Sequence, residues 1–195
     1  MFTFQNVDFI DIDSQLSEEE QLVRKSVRQF VDEKVLPIIR DCFRDSRCPL
    51  ELIPQMAELG LFGASLEGYG CAGMSEIEYG LVMQELERGD SALRSFVSVQ
   101  GNLVMWPIHQ YGTDGQKEQW LPNLQQGKVL GCFGLTEPAF GSNPDGMRTR
   151  AVRDGNKYVI NGEKTWITNG TLADVAVVWA KDEEGIVRGF LLEKG

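Results

Sequence analysis

The sequence predicts an α+β protein: an all-α helical N-terminal domain over residues 1–128, then an antiparallel, β-barrel-like domain over residues 129–195. Two observations carry that reading. Up to about residue 128, apolar side chains recur at three- and four-residue steps behind helix-start residues. From Val129 onward the pattern changes to alternation and to β-branched and aromatic residues, with turn residues between the runs. A helical run followed by a run of strands is the pattern of two segregated layers.

Ser17 and Glu20 form a capping box, and Leu22, Val23, Val27, Phe30, Val31 and Val35 follow at helical spacing. They predict a long amphipathic helix, disturbed at Pro37. The acidic run Glu18-Glu19-Glu20 complements the positive end of its dipole. A second helix is expected from Pro49 to Gly60, burying Leu52, Ile53, Met56 and Leu59, with Pro54 arguing against full regularity. Ser75 and Glu78 make another capping box ahead of Ile77, Leu81, Val82, Glu85 and Leu86, until Gly89-Asp90 interrupts. A new helix then starts near Ser91 and runs through Phe96, Val99, Leu103 and Trp106 to about Tyr111, with Gly112 as a left-handed terminator. A short helix at residues 114–120 is expected to end before Pro122. His109 reads as a helix-end histidine and Tyr69 as a packed loop aromatic. In the second half, Tyr158-Val159-Ile160 and Lys164-Thr165-Trp166-Ile167-Thr168 flank Asn161-Gly162, a strong hairpin signal. Val175 to Trp179 and Phe190 to Leu192 add two strands, joined by a polar turn at Asp182 to Gly185.

Composition narrows the function. The 195 residues are 42% hydrophobic and 25% charged, an ordinary globular balance. A net charge of −10, with no basic run, opposes a nucleic-acid surface. The cysteines at 42, 48, 71 and 132 lack CxxC spacing and there is one histidine, so neither a metal site nor a disulfide framework is expected. Structural thiols in a reducing compartment fit better. Met1 to Asp8 carry neither an apolar signal core nor the Arg-rich pattern of an import sequence, so a cytoplasmic location is expected. No apolar run approaches the roughly 20 residues that span a bilayer.

The chemistry concentrates in two segments. Cys132-Phe133-Gly134-Leu135-Thr136-Glu137-Pro138, with Gly141-Ser142 just beyond, combines strand residues with a glycine-rich turn, leaving backbone N–H groups and the Thr136 hydroxyl to meet a polar ligand. Trp166-Ile167-Thr168-Asn169-Gly170 offers an aromatic face and a hydroxyl two residues on. If this stretch is a strand, Trp166 and Thr168 share one side, suited to a flat polar ring. Without further context, a hairpin core in which Trp166 only fills space is the simpler reading.

This pair of motifs closely resembles the flavin-binding signature of the acyl-CoA dehydrogenase family, and the surrounding sequence is most similar to glutaryl-CoA dehydrogenase. The likeness extends through Glu58-Leu59-Gly60, Gly68 to Gly73, Glu85-Leu86-Glu87-Arg88 and Gly189 to Gly195. The resemblance implies FAD as cofactor, held by Phe133, Gly134, Leu135, Thr136, Glu137, Pro138, Gly141, Ser142, Trp166, Ile167 and Thr168. It places Thr168 near the flavin N5 and gives Ser142 a second contact, with CoA. Asn143 stands where the family commonly has Asp, keeping the turn-forming side chain and losing the charge. It also implies an electron-transfer flavoprotein as partner, a homo-oligomer of four subunits, and a missing C-terminal helical bundle. The family's catalytic base lies in that bundle, so no residue is assigned as catalytic, and this polypeptide alone is not expected to dehydrogenate acyl-CoA.

Substrate choice turns on Asp90 to Ser98. Arg94 and Ser98 are one helical turn apart and share a face. The resemblance assigns Arg94 and Ser98 to the distal carboxylate of glutaryl-CoA, with Glu87 orienting the arginine and Ser95 also among the substrate-binding residues. Read from residues alone, Arg94 is a solvated helix arginine; a buried one would call for an anionic partner and an anionic substrate. The expectation is α,β-dehydrogenation of a short-chain acyl-CoA, glutaryl-CoA first, with decarboxylation following. Another short-chain acyl-CoA dehydrogenase, or a non-catalytic flavin- or CoA-binding module, is the alternative.

Overall fold

A computed structural model describes residues 9–195; the N-terminal stretch from Met1 to Asp8, read above for targeting, lies outside the described residues. The helical part comprises α1 (Glu18–Phe30), α2 (Leu36–Arg44), α3 (Ile53–Glu58), α4 (Glu76–Gly89), α5 (Ser91–Ser98), α6 (Trp106–Tyr111) and α7 (Asp114–Gln125). The sheet part comprises β1 (Gly131–Gly134), β2 (Arg150–Asp154), β3 (Lys157–Asn161), β4 (Val175–Lys181) and β5 (Val187–Glu193).

Both expected capping boxes form: Ser17 and Ser75 accept from the backbone N–H of Glu20 and Glu78, whose carboxylates accept in return. A third, Thr113 with Gln116, starts α7. The expected long helix at Ser17 is divided by a widened π turn at Val31–Val35 before α2 begins around Pro37. The same sequence of events recurs at Val99–Met105, immediately before Pro107 in α6. Proline lacks an N–H and its ring collides with the carbonyl four residues back, and a π turn re-registers the ladder without ending the helix.

Two expectations at helix ends are corrected. Gly112 is extended (φ −68°, ψ 153°), not left-handed. A Cβ there would lie 2.5 Å from the Ile108 carbonyl oxygen, so close approach, not handedness, asks for glycine. The last helix does not stop before Pro122 but carries it inside, because Leu121 and Leu124 are buried on the core side and Gln126 N–H still bonds the Pro122 carbonyl. Leu59, expected inside, is only half-buried, and Leu22 and Ile77 are exposed. Glu85, in the apolar stripe of α4, is buried and gripped by Arg28 at 2.6 Å and Arg88 at 2.9 Å. Burial pushes its carboxyl up, but the two guanidiniums outweigh that and hold it down.

The sheet is mixed, not purely antiparallel. β4 is its centre, with antiparallel β5 on one side and parallel β1 on the other, and Lys181 meeting the start of β2 in parallel register. The hairpin also differs: β2 and β3 pair through a turn at Gly155-Asn156, with Gly155 left-handed at φ 63°. Asn161-Gly162 ends β3, and residues 164–168 form no strand. The polar turn from Asp182 to Gly185 forms as expected and joins β4 to β5.

Helices and sheet share one core, in which Val99, Val104, Leu130, Val175 and Val177 meet. Their junction is polar at one buried point. Gln100 donates to the carbonyls of Leu124 (3.0 Å) and Val129 (2.9 Å) and accepts from Gly131 N–H (2.8 Å). Gln100→Leu removes all three partners and leaves backbone groups unpaired in the interior. Urea unfolding is expected to report a loss of about 2–4 kcal/mol; a change under about 0.5 kcal/mol would contradict this role. The described cysteines are free thiols, and burial raises those of Cys48, Cys71 and Cys132. Among the described residues there is no cluster fit for a metal ion and no helix long and apolar enough to cross a membrane.

Candidate flavin-binding turns and acyl-recognition face

The two motif segments meet. Thr165 N–H donates to the Thr136 carbonyl at 2.9 Å, and Lys164 Nζ reaches the Leu135 carbonyl at 2.9 Å and Glu137 Oε1 at 3.0 Å. Contact is made by a turn against the end of β1, not by two strands. Trp166 lies in the left-handed region at φ 58°, so the side-by-side placement of Trp166 and Thr168 expected from strand alternation does not hold. Its indole is 91% exposed, which removes the reading of Trp166 as a core filler. Thr168 is exposed and Ile167 half-buried.

Glu137 faces inward, 5% exposed. It accepts from Arg148 N–H (2.6 Å), Thr149 N–H (2.9 Å), the Thr149 hydroxyl (2.5 Å) and Lys164. Burial alone would push this carboxyl up, but the four donors outweigh it and bring it down to about 2. Its N–H also donates to the Phe140 carbonyl. Glu137 therefore fastens the turn from within, with both of its carboxylate oxygens engaged by these donors. Phe133 likewise packs inward, edge-on to Trp179 with ring centroids 5.9 Å apart. Gly134 is buried, Leu135 and Thr136 half-buried, and Pro138, Gly141 and Ser142 exposed along the following loop. Asn143 closes that loop through its carbonyl, which accepts from Gly146 N–H, and its side chain makes no capping bond.

Sequence reasoning missed Lys164, Arg148 and Thr149. The available signal was Lys164 itself, a cation inside a supposed half-buried strand. An exposed indole, a row of turn residues and the Thr136 and Thr168 hydroxyls, on two segments joined by the Lys164–Glu137 salt bridge and the Thr165–Thr136 backbone bond, fit a flat, polar heterocycle with an apolar face.

Glu87, Arg94, Ser95 and Ser98, which the resemblance assigns to acyl recognition, lie on α4 and α5. Arg94 Nε bonds Glu87 at 2.7 Å, and the Ser91 hydroxyl donates to the same carboxylate at 2.5 Å. These bonds, Arg94 first, hold the Glu87 carboxyl below its usual range. The expected partner is in place, but the expected burial is not: the Arg94 and Glu87 side chains are 36% and 48% exposed. Ser98 donates to the Ser95 carbonyl at 3.1 Å and keeps its lone pairs. Thr168 lines a cleft with Asn169, Ala92, Phe96, Cys42 and Phe43. Arg94 and Ser98 project from α5 on another side and do not line it. His109 bonds the Glu67 carbonyl and stacks edge-on with Tyr69, a structural pairing.

Comparison with known proteins follows the same division. Residues 17–128 match the N-terminal domain of acyl-CoA dehydrogenases and residues 132–195 the middle domain. The short-chain-specific acyl-CoA dehydrogenase of Clostridium acetobutylicum is 35% identical over 190 residues, covering 94% of this chain and 50% of that protein. Mitochondrial isovaleryl-CoA dehydrogenase of Pongo abelii is 35% identical over 189 residues, covering 92% and 45%. The crystal structure of a glutaryl-CoA dehydrogenase from Mycobacterium smegmatis in complex with FADH2 superposes with a TM-score of 0.91 at 52% identity, over 94% of this chain and 47% of that one. The chain thus spans about half the length of the relatives it matches. It belongs to the acyl-CoA dehydrogenase family, whose N-terminal and middle domains it carries.

Proposed function

We propose that this chain is the N-terminal and middle part of an FAD-dependent glutaryl-CoA dehydrogenase. FAD, when bound, supplies the two-electron acceptor for α,β-dehydrogenation of the thioester. The chain's own residues bind and orient: the turn carrying Trp166 and Thr168 offers an indole face and a hydroxyl, and Leu135 and Thr136 offer the adjoining polar edge. Glu137 and Lys164 keep these two pieces in register. No carboxylate of these residues is assigned as the base. Decarboxylation after oxidation, an electron-transfer flavoprotein as electron acceptor, a homotetramer and a cytoplasmic location complete the reading.

The observation that carries the substrate is Arg94. Its guanidinium is held by Glu87 on the face that also carries Ser98, and a distal carboxylate is the acyl feature that such a cation would select. The second reading is a short-chain monocarboxylyl substrate, favoured by the 35% identity to the short-chain-specific enzyme and by Glu87 already neutralising Arg94. Turnover of glutaryl-CoA and butyryl-CoA by the full-length protein separates them: the first reading expects glutaryl-CoA to be preferred, and a preference for butyryl-CoA defeats it.

The cofactor half has its own test. Trp166→Ala removes an indole that is 91% exposed, so the expected change in stability is below about 0.5 kcal/mol. FAD affinity of the full-length protein, followed by flavin fluorescence, is expected to fall about tenfold or more, the size of a lost aromatic contact. Unchanged affinity would remove Trp166 from the site.

A further inference from the structure

The helix pair that presents Arg94 continues beyond it. Tyr79 and Glu87 are two turns apart on α4, while Arg94, Ser98 and Asn102 step along α5 and the π turn that follows. The pairs Arg94–Glu87 and Asn102–Tyr79 are bonded across the helices at 2.7 and 2.9 Å, one at each end of a shared antiparallel face. Ser98 lies midway, about 6 Å of helix rise from each end. Arg94 is close enough to Tyr79 to act on its phenol electrostatically.

The Asn102 amide donates to the phenolic oxygen of Tyr79. That bond occupies a lone pair and leaves the phenolic proton to be donated elsewhere. An acceptor seated over Ser98 would find the guanidinium on one side and this hydroxyl on the other. Among these side chains, Glu87 is the one anion, and Arg94 and Ser91 already hold it.

Resting on the glutaryl-CoA reading above, we propose that Tyr79, oriented by Asn102, is a specificity-determining residue that donates a second hydrogen bond to the distal carboxylate opposite Arg94. Burial, with a smaller push from the Glu76 carboxylate, moves the phenol pKa up more than Arg94 and the Asn102 bond draw it down, so the hydroxyl stays a donor at neutral pH. A hydroxyl facing a carboxylate adds directional recognition, which a cation already paired with Glu87 supplies only in part.

The test compares glutaryl-CoA and butyryl-CoA kinetics in the full-length enzyme with Tyr79→Phe, Asn102→Asp and Arg94→Met. Tyr79→Phe is expected to raise the KM for glutaryl-CoA about tenfold relative to that for butyryl-CoA, as loss of a hydrogen bond to a charged group does. The two kcat values should move far less. Asn102→Asp, at an exposed position, turns the phenolic O–H towards its own carboxylate as a hydrogen-bond acceptor and adds negative charge, and is expected to lower the same selectivity. Were Tyr79→Phe to affect both substrates equally, or Asn102→Asp to leave selectivity intact, while Arg94→Met abolished it, the role of Tyr79 would be overturned and the glutaryl-CoA reading would stand. If Arg94→Met also left selectivity untouched, both would fall.

Discussion

Glu137→Ala is expected to destabilise the protein by about 3–5 kcal/mol, the range for breaking a buried ion pair by removing one partner. The size follows from what the substitution strands. Lys164, 12% exposed, loses its counter-charge, and Arg148 N–H, Thr149 N–H and the Thr149 hydroxyl lose their acceptor. Since Lys164 also ties the Leu135 carbonyl, the turn carrying Trp166 should loosen from the end of β1 and FAD affinity should fall together with stability. Urea unfolding of wild type and variant checks the first effect. A loss below about 1 kcal/mol would contradict the account of Glu137 as an internal fastener.

The same carboxylate sets an acid limit. Its folded-state pKa is lowered from 4.5 to about 2, so the stabilisation is fully present above pH 4.5 and is lost as pH falls from there towards 2. A depression of that size corresponds to about 3 kcal/mol. Wild-type stability is expected to decline through this window more steeply than that of Glu137→Ala, which has no such carboxylate to protonate. Parallel pH profiles for the two proteins would exclude the linkage.

Arg94→Met is expected to lower kcat/KM for glutaryl-CoA about a hundredfold or more, the effect of truncating one side of a hydrogen-bonded charge pair. Butyryl-CoA brings no charge to this face, so its kcat/KM should move by less than about threefold. Glu87 and Ser91 remain in the variant, leaving an unpaired carboxylate on the acyl face that adds repulsion to the lost attraction. Arg94→Lys should recover part of the activity only, because an ammonium lacks the planar fork. Steady-state kinetics with both thioesters reads all of this.

Much of the helical half was legible because its signals are local. A capping box needs only four consecutive residues, and Ser17–Glu20 and Ser75–Glu78 close as read. Pro37 flagged a disturbance, though nothing in a periodic pattern distinguishes a π turn from a kink, and the equivalent at Pro107 carried no separate warning. Pro122 was overruled by the burial of Leu121 and Leu124, a tertiary effect outweighing a local preference.

The sheet was less legible because pairing is decided at long range. Asn161-Gly162 carries the stronger hairpin signature, yet Gly155-Asn156 makes the turn. Residues 164–168 are drawn out of strand geometry when Lys164 turns inward to Glu137, a contact 27 residues apart in sequence. The parallel pairing of β1 with β4 likewise joins Gly131 to Val175 across a gap that no local pattern bridges. For the site, sequence identified the two segments that meet but not how they meet: the indole stands in a left-handed turn, and Glu137 is turned into the interior. Tyr79 and Asn102 escaped notice because neither belongs to a motif, and their relation to Arg94 emerges only once α4 and α5 are laid side by side.

The most direct test of the central claim, that the Thr136 edge and the Trp166 turn together hold a flavin, is the visible absorption spectrum of the full-length protein as isolated. A yellow protein is expected, one that releases FAD on denaturation in a ratio of one per chain and whose yellow band bleaches when glutaryl-CoA is added without air. A colourless protein that takes up no added FAD would contradict it.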